Sequence, residues 1–237
     1  MPTLLRNPPL VEAVFELRFN PNLDAAGDIL IGLLYASLNA QYSRVEPLPM
    51  ANVPREIRSR DPNLRYQASH RLWGDGKSVH VGDYVVGTST TAYPGWDKFR
   101  EQVEQVVQAV HSTKIVKDVE RFSFRYVNIL QADPSASQFD LLNCRIEVAG
   151  TVPLERGFML RIEQDDGPYT SIIQLYPNAS IESPEVNVSG LLVDIDTRRE
   201  ADGFFMNLST MLNEAHEVLK RNFHNVLSDR ILKVLPT

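Results

Sequence analysis

Two carboxylates stand two residues apart in Asp194-Ile195-Asp196, within a stretch whose alternating pattern indicates a β-strand. That spacing puts both carboxylates on one strand face and leaves the apolar side chains on the other. Such a pair could hold Mg²⁺ or Mn²⁺ together with substrate phosphates. It could equally form salt bridges to neighbouring strands, for which Arg125 is the obvious candidate. We favour the salt bridge and predict no metal site and no cofactor.

Two arginines occupy equivalent places in the two strands that open the predicted halves of the chain, Arg18 and Arg125. Together with Asn128 they could line a polar surface that binds carboxylate or phosphate groups. The alternative is pairing with Glu12, Glu16 or the acidic pair, each worth less than about 1 kcal/mol when exposed. The candidate ligand-binding residues are therefore Arg18, Arg125, Asn128, Asp194 and Asp196.

No complete catalytic pattern accompanies these residues. The five histidines form no His-Glu-x-x-His arrangement, and Gly74-Asp75-Gly76-Lys77 lacks the spacing of a phosphate-binding loop, so it predicts a hairpin turn. The single cysteine, Cys144, excludes an intrachain disulfide and is expected to be a small buried side chain. We therefore predict no catalytic residues and lean against an enzyme.

The composition of the chain disfavours two classes of protein, those that bind nucleic acid and those that span a membrane. The 237 residues are 43% hydrophobic and carry a net charge of −6, which disfavours nucleic acid as a partner. The start shows no apolar run of signal-peptide length, and the apolar stretch Ile29–Ala36 is too short to span a bilayer. We expect a cytoplasmic protein with no membrane contact.

Hydrophobic periodicity predicts the elements of the first half. The order is a strand, a helix capped by Asp24 or Asp28 with an apolar face, a hairpin around Gly74–Lys77, and a second helix. The predicted bounds are Val11–Phe19, Asp24–Arg44, Leu64–Trp73 with Ser78–Gly87, and Trp96–Ser112. The apolar face of the first helix is Ile29, Leu30, Leu33, Leu34 and Leu38.

The second half repeats this order with a much shorter opening helix. Its predicted elements are a strand, a helical turn, a hairpin, a further strand and a long helix, spanning Val119–Leu130, Gln138–Arg145, Phe158–Gln164 with Tyr169–Tyr176, Gly190–Thr197 and Phe204–Phe223. The tail Ser228–Leu235 is expected to be a short strand or a packed arm.

The repeated order predicts an internal duplication, with halves 1–114 and 115–237 packed together as one unit. The predicted fold class is α+β: two related strand–helix–hairpin–helix halves, with mainly antiparallel sheets and long helices on one face.

Aromatic side chains cluster around the first predicted hairpin. Trp73 lies at its tip, where one chain can bury it only with difficulty, and Tyr84 lies nearby. Because aromatic residues often anchor protein partners, we predict that Trp73 and Tyr84 contact a partner or a second subunit.

Several segments carry a family resemblance: Asn7-Pro8-Pro9 with the strand after it, Tyr93-Pro94-Gly95-Trp96, Arg125-Tyr126-Val127-Asn128 with the residues before it, and Asp194-Ile195-Asp196. Over nearly the whole chain, these resemble a sporadically distributed, uncharacterised prokaryotic family with no established activity. The resemblance implies no catalytic residues. Patchy distribution is typical of mobile, defence or toxin–antitoxin genes.

Two functions follow as expectations. The favoured one is a non-catalytic binding or scaffolding component of a prokaryotic system, acting by contacts with another protein or with itself. The alternative is a protein or enzyme that binds a small ligand or phosphate ester between the two halves.

Overall fold

The computed structural model describes residues 9–132, 136–182 and 187–233. The chain divides into two compact units. The first unit comprises Ala13–Phe124 and Arg198–Glu214, and the second comprises Met1–Glu12, Arg125–Thr197 and Ala215–Thr237. The predicted division into halves at residue 114 stays a prediction.

The described residues contain nine strands of one sheet, in the order β2-β3-β4-β5-β1-β6-β9-β8-β7. Pairing is antiparallel between β1 and β5, along β2-β3-β4-β5 and between β7 and β8. This confirms an α+β fold with a large antiparallel sheet. The strands are β1 Leu10–Pro21, β2 Arg44–Pro47, β3 His70–Gly74, β4 Lys77–Val81, β5 Val85–Thr90, β6 Val116–Leu130, β7 Leu160–Asp166, β8 Tyr169–Glu182 and β9 Asn187–Glu200.

Five α-helices lie in the described residues: α1 Ala26–Leu38, α2 Arg55–Arg60, α3 Trp96–Ser112, α4 Leu208–Val226 and α5 Asp229–Leu232. The bounds of α3 are those predicted, and its apolar stripe is buried. A 3-10 turn at Phe204–Met206 precedes α4. The tail forms the short helix α5, so the predicted strand is wrong, whereas the full burial of Ile231 agrees with the alternative of a packed arm. Residues 234–237 lie outside the described residues. None of the helices in the described ranges is both long enough and apolar enough to cross a membrane.

Strand β1 confirms the predicted alternation. Ala13, Phe15, Leu17 and Phe19 are almost fully buried, and the residues between them are half-buried. Successive side chains of a strand point to opposite faces, so this pattern places one face of β1 against the core.

Helix α1 departs most from prediction. It spans Ala26–Leu38, and its N-cap residue is Ala25, in the left-handed region at φ 56°, so neither Asp24 nor Asp28 is the cap. The amide of Gly27 instead donates to the Asp83 carboxylate at 3.2 Å. A Cβ on Gly27 would lie 2.9 Å from the backbone of Gly82, so only glycine permits this close approach.

The hairpin around Gly74–Lys77 is confirmed, with Gly74 paired to Lys77 and Gly76 at φ 62°. Its strands are shorter than predicted. The stretch Ser78–Gly87 is divided by a turn at Gly82–Tyr84, and the first strand begins only at His70. The second hairpin is confirmed, with Asp166 paired to Tyr169, but its strands are Leu160–Asp166 and Tyr169–Glu182 rather than the predicted Phe158–Gln164 and Tyr169–Tyr176. Cys144 is exposed, so its expected burial is wrong; the neighbouring Leu141 and Leu142 are buried instead.

Candidate functional site

The predicted salt bridge between the acidic pair and Arg125 is present in the second unit. Arg125 donates from Nε and Nη2 to the two carboxylate oxygens of Asp194, at 2.8 and 2.6 Å. Gln174 donates to Asp194 Oδ2 at 3.2 Å, and the Tyr176 hydroxyl donates to Gln174 at 3.0 Å. Hydrogen bonding to Asp194 raises the pKa of Arg125. The Asp194 carboxylate thus accepts its hydrogen bonds from side chains of the protein itself.

The Asp194 carboxylate is enclosed, with 4% of its side chain exposed, whereas 50% of the Arg125 side chain is exposed. Asp196 follows two residues further along β9, so it shares the strand face of Asp194. Within the described parts of the chain, no group of three or more His, Cys, Asp or Glu residues is arranged to hold a metal ion.

Asn128 does not join Arg125. The two residues stand three apart in β6, so alternation puts their side chains on opposite faces. Asn128 is buried and its amide donates to the backbone oxygens of Tyr126 and Val193, at 3.4 and 3.3 Å. Counting strand parity in the sequence would have separated these two residues.

Arg18 belongs to the first unit, where its partners are local. Its Nε donates to Glu16 at 2.6 Å, and its guanidinium lies 4.3 Å from the centre of the Tyr66 ring. Both members of the pair are about one-quarter to one-third exposed. Arg18 and Arg125 therefore hold equivalent strand positions but different partners.

The two aromatic candidates have partners within the first unit. The Trp73 indole donates to Glu46, and its ring lies under the guanidinium groups of Arg44 and Arg71. The Tyr84 ring lies 4.1 Å from the Arg65 guanidinium. Their predicted role in partner contact stays a prediction.

A polar cavity in the first unit was not predicted from the sequence. Its volume is about 600 Å³, and it is enclosed by residues 20–26 between β1 and α1, by α2, by Arg65 and by the turn at Asp83–Tyr84. Its basic lining residues are Arg55, Arg60 and Arg65. The sequence signal for it is the group of arginines between residues 55 and 65, most of which precede the predicted strand Leu64–Trp73.

A buried ion pair holds the wall of this cavity. Arg58 of α2 lies 3.0 Å from Asp83, and each side chain is only 7% exposed. Arg58 also donates to the Met50 carbonyl at 2.9 Å, and Asp83 accepts from the Gly27 amide. These contacts join α2, the β4–β5 turn and the start of α1.

A second polar network anchors α4 in the second unit. The sequence did not predict this network either. The Asp166 carboxylate accepts hydrogen bonds from Asn222 at 2.7 Å and from Ser171 at 3.1 Å. Burial alone would raise the pKa of Asp166, but hydrogen bonds from Asn222, Gln164, Arg221 and Ser171 outweigh it and lower the pKa. Asn222 of α4 donates both to Asp166 and to Ser171, so the network joins this helix to the hairpin of β7 and β8.

The outward face of α1 is apolar and exposed. Ile29 and Leu33 are each 44% exposed, and Tyr35 is 37% exposed, although the sequence predicted Ile29 and Leu33 in the buried face. The buried face consists of Ala26, Gly27, Leu30, Leu34 and Leu38. The error arose because α1 is apolar on both sides, so hydrophobicity alone could not identify the inner one.

The chain matches no protein-family model, and its sequence matches none of the curated proteins. Function is therefore argued from these surfaces alone.

Proposed function

We propose that this protein is a non-catalytic binding component that acts through protein–protein contacts, and that its first partner is a second copy of the same chain. The observation that carries the proposal is the pair of exposed apolar residues Ile29 and Leu33, which stand one turn apart on the outward side of α1. Contiguous exposed apolar surface is typical of interaction sites.

The composition of α1 supports the proposal that both sides of this helix pack against protein. From Ile29 to Ser43 there is no charged residue. A helix on the surface of a monomer normally has one charged face, and a helix apolar all round is typically enclosed. The inner face of α1 packs against β3, β4 and α3, which leaves the outer face for a partner.

Gly32 also supports a contact on the outward side of α1. A glycine inside a helix costs about 0.5–1 kcal/mol relative to alanine. A Cβ at Gly32 would have no atom within 4 Å in the described chain, so packing there does not require glycine. Beside Ile29 and Leu33, a small residue would let the backbone of a second helix approach closely.

A second copy fits this face better than a charged partner. A two-fold axis brings the same patch of both chains together, so Ile29 and Leu33 of one copy can meet those of the other. The adjoining groove between α1 and α3 contributes Gln41, Gln105 and Gln108 together with Glu101 and Glu104. An apolar centre with a polar border is the usual anatomy of an interface.

Light scattering after size exclusion, over a dilution series, tests the proposal. We expect a concentration-dependent mass of twice the 26.8 kDa chain. Each copy carries a net charge of −6, so added salt should strengthen the dimer by screening long-range repulsion. Salt-weakened capture of a basic protein by a monomeric chain would overturn self-association.

Matched variants locate the contact. Leu33→Gln should give a monomer whose melting temperature matches that of the parent diluted until it dissociates, because Leu33 is already 44% exposed. Ile57→Gln replaces another exposed apolar residue of the first unit, on α2, and should leave the dimer intact. A chain that is monomeric at its highest soluble concentration, or a dimer that survives Leu33→Gln, contradicts the proposal.

We also propose that the chain arose by duplication. Beside β1 the strand order is β5, β4, β3, and beside β6 it is β9, β8, β7. Each opening strand is thus followed in space by the last, middle and first strands of a three-stranded meander, which supports a common origin. A profile of related sequences aligned with itself tests this, and the absence of a match near an offset of 109 residues would count against it.

A further inference from the structure

The cavity of the first unit has the size of a small-molecule site. Its volume of about 600 Å³ lies within the range of sites for organic ligands and far exceeds the space that a single inorganic ion needs. Because all its lining residues belong to the first unit, the site is complete within that unit.

The walls of the cavity are held in place before any ligand arrives. Arg58 and Asp83 form their ion pair away from water, and Asp83 also holds the start of α1. Arg65 lies over the Tyr84 ring and donates to Asn20 at 3.0 Å. Pre-formed walls reduce the entropy that a ligand must spend on ordering its site.

Charge indicates the class of ligand. Arg65 has Glu120 at 3.8 Å, and Arg55 has Glu56 only at 4.0 Å, the outer limit of an ion pair. The Arg60 side chain forms no ion pair and no hydrogen bond within residues 9–132, 136–182 and 187–233. Arg55 and Arg60 therefore bring guanidinium donors to the cavity that protein carboxylates leave largely unused.

The charges of the lining are distributed unevenly rather than in excess. Asp83 pairs with Arg58 and Glu120 pairs with Arg65, so Asp24 and Glu56 are the remaining carboxylates beside Arg55 and Arg60, and neither forms an ion pair with Arg60. Guanidinium groups bind the oxygens of phosphate and carboxylate in bidentate geometry.

We propose that this cavity binds a small organic anion, whose phosphate or carboxylate oxygens are held by Arg55 and Arg60. Arg65, stacked on the Tyr84 ring, forms a further, aromatic part of the lining. The inference is independent of self-association, because it concerns neither the outer face of α1 nor its groove with α3.

Calorimetric titration of the full chain with adenosine 5′-monophosphate, adenosine, citrate and inorganic phosphate tests the site. We expect the nucleotide or citrate to bind and raise the melting temperature, adenosine to fail, and affinity to fall with added salt. Preference for the nucleotide identifies a phosphate ester, and preference for citrate identifies a carboxylate. No heat and no thermal shift with any of the four probes would overturn the proposal.

Variants place the ligand in the cavity. Arg60→Gln and Arg55→Gln should each weaken binding about tenfold to a hundredfold, the loss of one charge-assisted hydrogen-bonding group. Arg156→Gln removes the same charge from an exposed arginine of the second unit and should leave binding unchanged. Arg60 is exposed, so its loss should not disturb folding; unchanged affinity in both cavity variants contradicts the assignment. Repeating the titration with Leu33→Gln separates this result from self-association.

Discussion

Both units enclose an aspartate paired with an arginine, but only the first unit encloses the arginine as well. Asp83 and Asp194 are about equally buried, at 6% and 3% exposure. The side chain of Arg58 is 7% exposed, whereas that of Arg125 is 50% exposed. Each unit also withdraws a histidine from water, the half-buried His80 in the first and the buried His216 in the second, and this desolvation lowers the pKa of each to about 4.

The difference concerns what happens when a pair is broken. An enclosed arginine without its carboxylate stays buried and charged, and an enclosed carboxylate without its arginine does the same. Arg125 can turn its exposed guanidinium to water when Asp194 is lost. In the first unit, loss of either partner therefore leaves a buried charge, whereas in the second unit only loss of the arginine does. The pair of the first unit also holds the cavity wall.

The largest expected effect is in the first unit. Arg58→Leu should lower the free energy of unfolding by about 3–5 kcal/mol, because it leaves Asp83 buried without a counter-charge. Urea denaturation followed by circular dichroism measures this. The double variant Arg58→Leu with Asp83→Leu should recover part of the loss, since it removes the stranded charge. A single variant as stable as the parent would mean that the pair is not enclosed in solution.

The two histidines give the next effect, through pH. Their folded pKa of about 4 lies below the unfolded value of about 6.5, so between these pH values the unfolded chain binds more protons. Stability should therefore fall as pH drops from 6.5 towards 4, by at most roughly 3 kcal/mol for each histidine.

The histidines also distinguish the units. Burial and then the charge of Arg71 lower the pKa of His80, whereas Arg71 is not among the causes for His216. Arg71→Gln should raise the pKa of His80 and leave that of His216 unchanged, as followed by NMR titration of the imidazole signals. Equal shifts at both histidines would contradict this separation.

Breaking the pair of the second unit should cost less. Asp194→Asn should reduce stability by about 1.5–3 kcal/mol, the worth of hydrogen bonds to a charged group, because Arg125 can be rehydrated. Glu163→Gln breaks the Arg161–Glu163 pair, in which both side chains are nearly half exposed, and serves as the control with little effect. A loss at Asp194 as large as that at Arg58 would remove the contrast between the units.

Periodicity was enough to predict the parts of the fold in which burial falls on one face. The alternation of β1 and the stripe of α3 predicted both elements, and α3 to its final residue. It failed at α1 because both sides are apolar, and at Ser78–Gly87 because the turn there depends on Asp83, whose partners are distant in sequence. The pair of Arg125 and Asp194 could be predicted because alternation assigns each side chain to one face of its strand. The cavity could not be predicted, because it depends on tertiary contacts of Arg58 and Arg65.

The smallest effect tests the two arginines in equivalent strands. Arg18→Gln should cost about 0.2–1 kcal/mol, because its contacts with Glu16 and Tyr66 are partly exposed and Glu16 can be hydrated without it. Arg125→Gln should cost more, since it strands the enclosed Asp194 carboxylate. Parallel urea titrations of the two variants measure both losses. Equal losses would mean that the position in the strand determines how much each arginine contributes to stability. Because Glu16 and Asp194 are unequally buried, we expect the burial of the partner to determine it instead.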